Sequence, residues 1–417
     1  MPASFLLLLA AQFASALADN ALLIVTIALL QQRGMPAWWA PMLKVGFIVS
    51  YVALAPFVGP LADAFPKARL MACMNAVKCA GVTGLLLGLH PLAAFFVVGL
   101  GAAAHAPAKY GLATELVRVD QLVAANGWLE VTAVCAVLLG TGAGGLLVSP
   151  ALLAALGADV HGATGLVSWA RIGPLFPSLL VLLGVFACAG ALNLFVHDTG
   201  ARHPVRSLHP GELAGDFVRA NRLLWRDRDG GLSLAVTTLV WGVGATLQFA
   251  VLRWADECMH LRLDHAAYLQ AAVAVGVIVG AVAAGLWVAL ARAKRMLAAG
   301  VAFGLLTTLV AFTTTLALAV PLLVAVGAVG GLMIVPLNAL LQDRGNALMS
   351  PGRSIAVQGA SENASVLGCL GLYTALVARG VPLVVLMGGL GLAVAAMLAA
   401  LMLRARRDAA FGAASTG

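Results

Sequence analysis

From Phe5 to near Leu403 the chain is a succession of apolar runs, each about twenty residues long and nearly free of charge. Twenty residues of α-helix rise about 30 Å, the thickness of a bilayer's hydrocarbon core. A helix satisfies its own backbone hydrogen bonds in a medium that offers none, so such runs predict membrane-spanning helices. The composition excludes the alternative of a soluble domain. Charged residues make up 10% of the 417-residue chain and hydrophobic ones 62%, at a mean hydropathy of +1.00, whereas soluble domains carry about 25% charge. The 46 glycines fit close helix packing in lipid and not a barrel. The fold class read from the sequence is all-α integral membrane.

The runs predict spans over about 4–31, 41–62, 70–89, 91–113, 122–148 and 172–196, then 231–255, 266–290, 297–316, 318–341, 355–378 and 381–403. Trp38-Trp39 suit an interfacial belt, and 149–170 is expected to be a loop. Between the two sets lies the one long polar stretch, 198–229. This gives an N-terminal six-helix bundle at 1–197, a cytoplasmic linker at 198–229 and a C-terminal six-helix bundle with a short tail at 230–417. Within the linker, Glu212–Arg226 has the pattern of an interfacial amphipathic helix. The apolar start has no basic leader and runs on to Leu30, so it is expected to be a retained first helix and not a cleaved signal.

Seventeen Lys and Arg residues fall on the side of the termini and linker, among them Lys67, Arg69, Arg118, Arg344, Arg353 and Arg404, and six fall opposite. The positive-inside bias places both termini in the cytoplasm. The net charge of +8 comes from these loops, so no nucleic-acid partner is expected. Six scattered cysteines form no Cys-x-x-Cys pair and imply neither disulfide nor metal. No cofactor is expected, and the chain is read as a monomer.

A motif occurs twice, 232 residues apart: Asn126-Gly127-x-x-Glu130 and Gln358-Gly359-x-x-Glu362. Repetition half a chain apart suggests a duplicated membrane protein with its working parts at matching places. Glu130 and Glu362 then either cap helices and pair with loop arginines or contact substrate. Charges within spans are expensive, so each needs a partner or a task. Asp19, beside Asn20 in the middle of the first span, has no cation near it in sequence; Lys78 and Lys109 are the candidate partners. Either lysine also suits a substrate phosphate. Gln248, Asn338 and Gln342 add uncharged polar groups to predicted cavity-facing helices, and Arg253 lies near the outer end of its span.

Gly59 to Arg69, with Asp63 and Lys67 between them, resembles the loop motif of the major facilitator superfamily, in which the acid stabilises one transport state. The counterpart from Gly285 to Arg295 has no acid at the matching place. Six blocks taken in order resemble the lysophospholipid transporters of that superfamily: Ala18-Asp19-Asn20, Ala55-Pro-Phe-Val-Gly59, Pro107-Ala-Lys109-Tyr-Gly111, Ala125-Asn126-Gly127, Val335-Pro336-Leu-Asn338-Ala-Leu-Leu-Gln342 and Ala356-Val-Gln358. The resemblance implies a twelve-helix facilitator fold in a Gram-negative inner membrane. It also implies flipping of lysophosphatidylethanolamine and lysophosphatidylglycerol to the cytoplasmic leaflet, where a partner acyltransferase–acyl-carrier-protein synthetase reacylates them. The family's membrane acid falls on Asp19 and its cavity lysine on Lys109. Where the family carries an arginine in Thr-Leu-Arg-Phe, this chain has Thr246-Leu247-Gln248-Phe249, leaving Lys78 or Arg253 to replace it. No histidine has an aspartate five residues on (His90 reaches Phe95, His105 reaches Tyr110), so an acyltransferase is not expected in the chain. The rival readings are a proton-coupled drug antiporter of the same fold and a membrane acyltransferase built on His105.

Overall fold

The computed structural model describes residues 2–36, 39–155, 173–202, 209–259 and 263–414. Its helices in the first half are α1 (Ala3–Gln32), α2 (Trp39–Ala64), α3 (Lys67–Leu86), α4 (Pro91–Leu116), α5 (Leu122–Leu147), α6 (Pro150–Ala155) and α7 (Phe176–Leu194). The linker contributes α8 (Pro210–Arg226). The second half holds α9 (Arg228–Met259), α10 (Leu263–Trp287), α11 (Leu297–Ala311), α12 (Leu316–Leu348), α13 (Pro351–Ala378) and α14 (Leu383–Ala414). Each of the twelve predicted spans has its helix. Among the described residues, ten helical stretches are long and apolar enough to cross a membrane. The two remaining long helices, α3 and α13, are more polar because α3 carries Lys67, Arg69 and Lys78, and α13 carries Arg353, Glu362 and a Ser- and Asn-bearing first half. The expected loop after α5 is in part helical, since Pro150 opens the short α6. Most of that loop and Trp38 lie outside the described residues.

Helix ends follow from local chemistry. Gly34 takes φ +65° after α1, so that Gly34 N–H donates to Gln31 O and Met35 N–H to Leu30 O. Gly88 does the same after α3 at φ +86°. Left-handed backbone is cheap only for glycine, and these turns satisfy the last free carbonyls.

Two compact units form. One comprises Met1–Val117, Cys135–Ala220 and Met349–Ala360; the other comprises Arg118–Val134, Asn221–Leu348 and Ser361–Gly417. Each unit thus includes the opening turns of a helix whose remainder belongs to the other: α13 begins in the first unit and α5 in the second. The first unit is built around Leu22, Leu85, Phe95 and Phe186. The second is built around Trp254, Phe303, Met333 and Leu398. In the second unit α10 and α12 touch backbone to backbone. A Cβ on Gly276 would sit 2.1 Å from Val324 O, one on Gly280 1.9 Å from Ala328 O, and one on Gly327 2.1 Å from Val273 O. Only glycine permits that approach, which is how small residues hold membrane helices together.

Candidate substrate-binding site

In the first unit Asp19 and Lys78 meet. Lys78 Nζ donates to Asp19 Oδ2 at 2.6 Å and to Ser15 Oγ at 2.9 Å. Ser15 Oγ donates to Asn75 Oδ1 at 2.8 Å, and Asn75 Nδ2 donates back to Met71 O. The Phe186 ring lies 5.5 Å from the ammonium, within cation–π range. Lys78 is 2% exposed and Asp19 18% exposed. Of the two cations sequence left open for Asp19, Lys78 is therefore one partner that the fold supplies. Gly101 makes room for it: a Cβ there would lie 2.9 Å from Lys78 Cγ and 2.7 Å from Met74 O. Asp19 Oδ1 is buried without a hydrogen-bond partner. The group is thus an internal zwitterion, with one carboxylate oxygen uncommitted.

Ser15 and Asn75 were not singled out from sequence. The signal was there: Ser15 is four residues before Asp19 and Asn75 three before Lys78, so each shares its charge's helix face. Asn20 turns its amide back to Ala16 O at 2.8 Å. Lys109 is half-buried on α4, its ammonium 4.1 Å from the Tyr110 ring centre. His105 is buried on the same helix with Nε2 unbonded. Arg253 pairs with Glu257 one turn along α9. No cluster of three metal-ligating groups occurs among the described residues.

Asp63 is 1% exposed and holds the start of α13. It accepts from Ser350 Oγ at 2.5 Å, Gly352 N–H at 2.8 Å and Arg353 N–H at 3.2 Å. A carboxylate on the free amides of a helix N-terminus is favoured by both hydrogen bonding and the helix dipole. Lys67 is buried against Glu115 at 2.6 Å, while Arg69 is exposed. The glycines let the two backbones meet, since a Cβ on Gly352 would lie 2.5 Å from Gly59 O.

The second unit solves the same problem with different groups. Gly285 lies against Ala124 of α5, and a Cβ on Gly127 would lie 2.8 Å from Ala281 O. In place of a carboxylate clamp, two buried amides pair reciprocally: Asn126 Nδ2 donates to Gln342 Oε1 at 2.8 Å and Gln342 Nε2 to Asn126 Oδ1 at 2.9 Å. Gln342 is therefore engaged by protein. The repeat lacking an acid in its own segment obtains one from α9, where Asp229 Oδ1 lies 2.6 Å from Lys294 Nζ. Next to it Asp227 accepts from Gly230 N–H at 2.8 Å, capping α9, and receives Arg344 at 2.7 and 3.1 Å. These bonds hold the Asp227 carboxyl below its ordinary range.

The second unit also contains a cavity of about 190 Å³ between α9, α10, α11 and α12. Gln248, Gln270 and Glu130 are its polar lining, with Thr307. Gln248 is exposed, and its backbone carbonyl accepts from Gln270 Nε2 at 2.7 Å. Asn338 is buried on α12, and Glu362 half-buried on α13.

Residues 8–368 match the family model described as Major Facilitator Superfamily. The chain belongs to the major facilitator superfamily. This facilitator is 41% identical over 383 residues to the lysophospholipid transporter LplT of Yersinia pestis (strain Pestoides F), covering 91% of this chain and 88% of that one. It has the same identity and coverage with the LplT of Yersinia pseudotuberculosis serotype I (strain IP32953). Solved structures share its fold. A bacterial homologue of the iron transporter ferroportin in an outward-facing state superposes with a TM-score of 0.70 at 16% identity, covering 97% of this chain and 100% of that one. A variant of the E. coli fucose:proton symporter FucP gives 0.68 at 17% identity, covering 96% and 97%.

Proposed function

We propose that this facilitator moves lysophospholipids across the bacterial inner membrane to the cytoplasmic leaflet by alternating access. The substrates are lysophosphatidylethanolamine and lysophosphatidylglycerol, and a separate acyltransferase reacylates them. The observation that carries the reading is the Asp19–Lys78 pair, in a chain 41% identical to proteins named lysophospholipid transporters. A lysophosphatidylethanolamine head is itself a zwitterion. Its ammonium suits the uncommitted Asp19 Oδ1, and its phosphate suits an ammonium such as that of Lys78 or Lys109. Exchange of one ion pair for two keeps every buried charge compensated during passage, which matters because a lone buried charge is costly. Lysophosphatidylglycerol, lacking the ammonium, engages the lysine alone.

Alternating access needs contacts that hold one state and can break. Asp63 on the start of α13 and Asn126 on Gln342 are suited to this, being compact polar contacts between helix ends. The bias of basic residues toward the linker and termini supports a cytoplasmic location for both. Uptake of labelled lysophosphatidylethanolamine into vesicles, with proton and sodium gradients set separately, tests the proposal. Uptake inhibited by unlabelled lysolipid supports it. Uptake of a cationic drug in exchange for protons, with no lysolipid flux, would make the chain an antiporter.

A further inference from the structure

The lining of the second unit's cavity runs from exposed residues to buried ones. At the more exposed end stand Trp241, 42% exposed, with Gln248 and Gln270. At the other end are Phe303 and Thr307 of α11 and Met387 of α14, each at most 5% exposed. Thr307 turns its hydroxyl to Phe303 O at 2.8 Å, so its polar atom is spent within its own helix. The inner end therefore offers hydrocarbon alone. Protein interiors are packed closely and seldom leave voids larger than a water, and a cavity without polar partners stays dry. Glycine shapes this one. Gly330 faces the Phe303 ring, whose nearest atom would be 3.4 Å from an added Cβ, and Gly244 on α9 has open space before it.

We infer that this cavity receives the terminal segment of the substrate's single acyl chain, and that its inner end sets chain-length selectivity. The inference rests on the lysophospholipid reading above and adds where the tail goes. A mostly apolar cavity with two amides and a carboxylate in its lining fits an unbranched chain whose polar end remains outside. Burial of each methylene beyond the mouth is favourable until Thr307 and Met387 stop it. A diacyl lipid would need room for a second chain.

The test is uptake of lysophosphatidylethanolamines with twelve- and eighteen-carbon chains into proteoliposomes of wild type, Thr307→Phe and Met387→Ala. Thr307→Phe shortens the cavity and is expected to lower the eighteen- to twelve-carbon uptake ratio at least about tenfold, a modest loss for several unburied methylenes. Met387→Ala lengthens it and is expected to raise the ratio. As a readout independent of folding in the variants, wild type is labelled with lysophosphatidylethanolamine carrying a diazirine at the chain terminus, and the label is expected on α11 or α14. An unchanged ratio in both variants, or terminal label confined to other helices, would overturn the inference. Label on α11 without any lysolipid uptake would instead leave the tail site standing and remove the transport reading.

Discussion

Lys78 Nζ lies 2.6 Å from Asp19 Oδ2, while Asp19 Oδ1 is buried with no hydrogen-bond partner. Removing one member of a buried pair strands the other charge at a cost of about 3–5 kcal/mol, whereas replacing both with apolar groups is often neutral. Lys78→Met should therefore lower the Tm of purified protein, and Asp19→Leu with Lys78→Met should recover it. Lysolipid uptake should be lost in both. Recovery of transport in the apolar double variant would show that the pair is structural.

Asp63 accepts three hydrogen bonds from Ser350, Gly352 and Arg353. Asp63→Asn keeps the size but removes the charge and one acceptor, a loss of about 1–3 kcal/mol for charged hydrogen bonds. It should reduce uptake and open the start of α13. Labelling of Ser354→Cys, buried in the intact protein, should become faster in Asp63→Asn.

The Asn126–Gln342 pair predicts non-additivity. Either single change to Ala leaves a buried amide unsatisfied, so the double variant should be less destabilised than the sum of the singles. A coupling energy of about 0.5–3 kcal/mol from a double-mutant cycle is expected; simple additivity would mean that the amides do not depend on each other.

Glycine to alanine should have opposite signs at two sites. At Gly280 an added Cβ meets Ala328 O at 1.9 Å, so Gly280→Ala should force α10 from α12 and lower Tm. At Gly142, within α5, nothing lies within 4 Å. There Gly142→Ala should be neutral or stabilising by up to about 1 kcal/mol, the helix propensity difference.

Asp227 supplies a pH test outside the spans. Its folded pKa is lowered, first by the Arg344 hydrogen bond, so its contribution is present above the ordinary 3.8 and is lost as pH falls through the lower folded value. The Tm difference between wild type and Asp227→Asn should be constant from neutral pH down to about 5 and shrink only below about 4. A difference that vanished near neutrality would contradict the assignment.

The twelve long helices were legible because hydrocarbon imposes one length and one secondary structure on apolar runs. Even α3, with Lys78 inside it, was recognisable by period and length. The Asp19–Lys78 pairing was legible as a short choice, since a charge in α1 needs compensation. The amide pair Asn126–Gln342 was not, because its residues are 216 apart and neither is costly enough alone to demand a partner. The Asp229–Lys294 pair was hidden similarly: the acid stands in α9, outside the repeat that uses it. The cavity lined by Phe303, Thr307 and Met387 was invisible in sequence, because a void is a property of packing and its lining reads as ordinary core.

Uptake of labelled lysophosphatidylethanolamine by proteoliposomes containing wild type or Asp19→Ala, matched for protein incorporated and fold, tests the central claim most directly. Uptake should be saturable in wild type and fall to the level of protein-free liposomes in Asp19→Ala. Near wild-type uptake in Asp19→Ala would contradict the account.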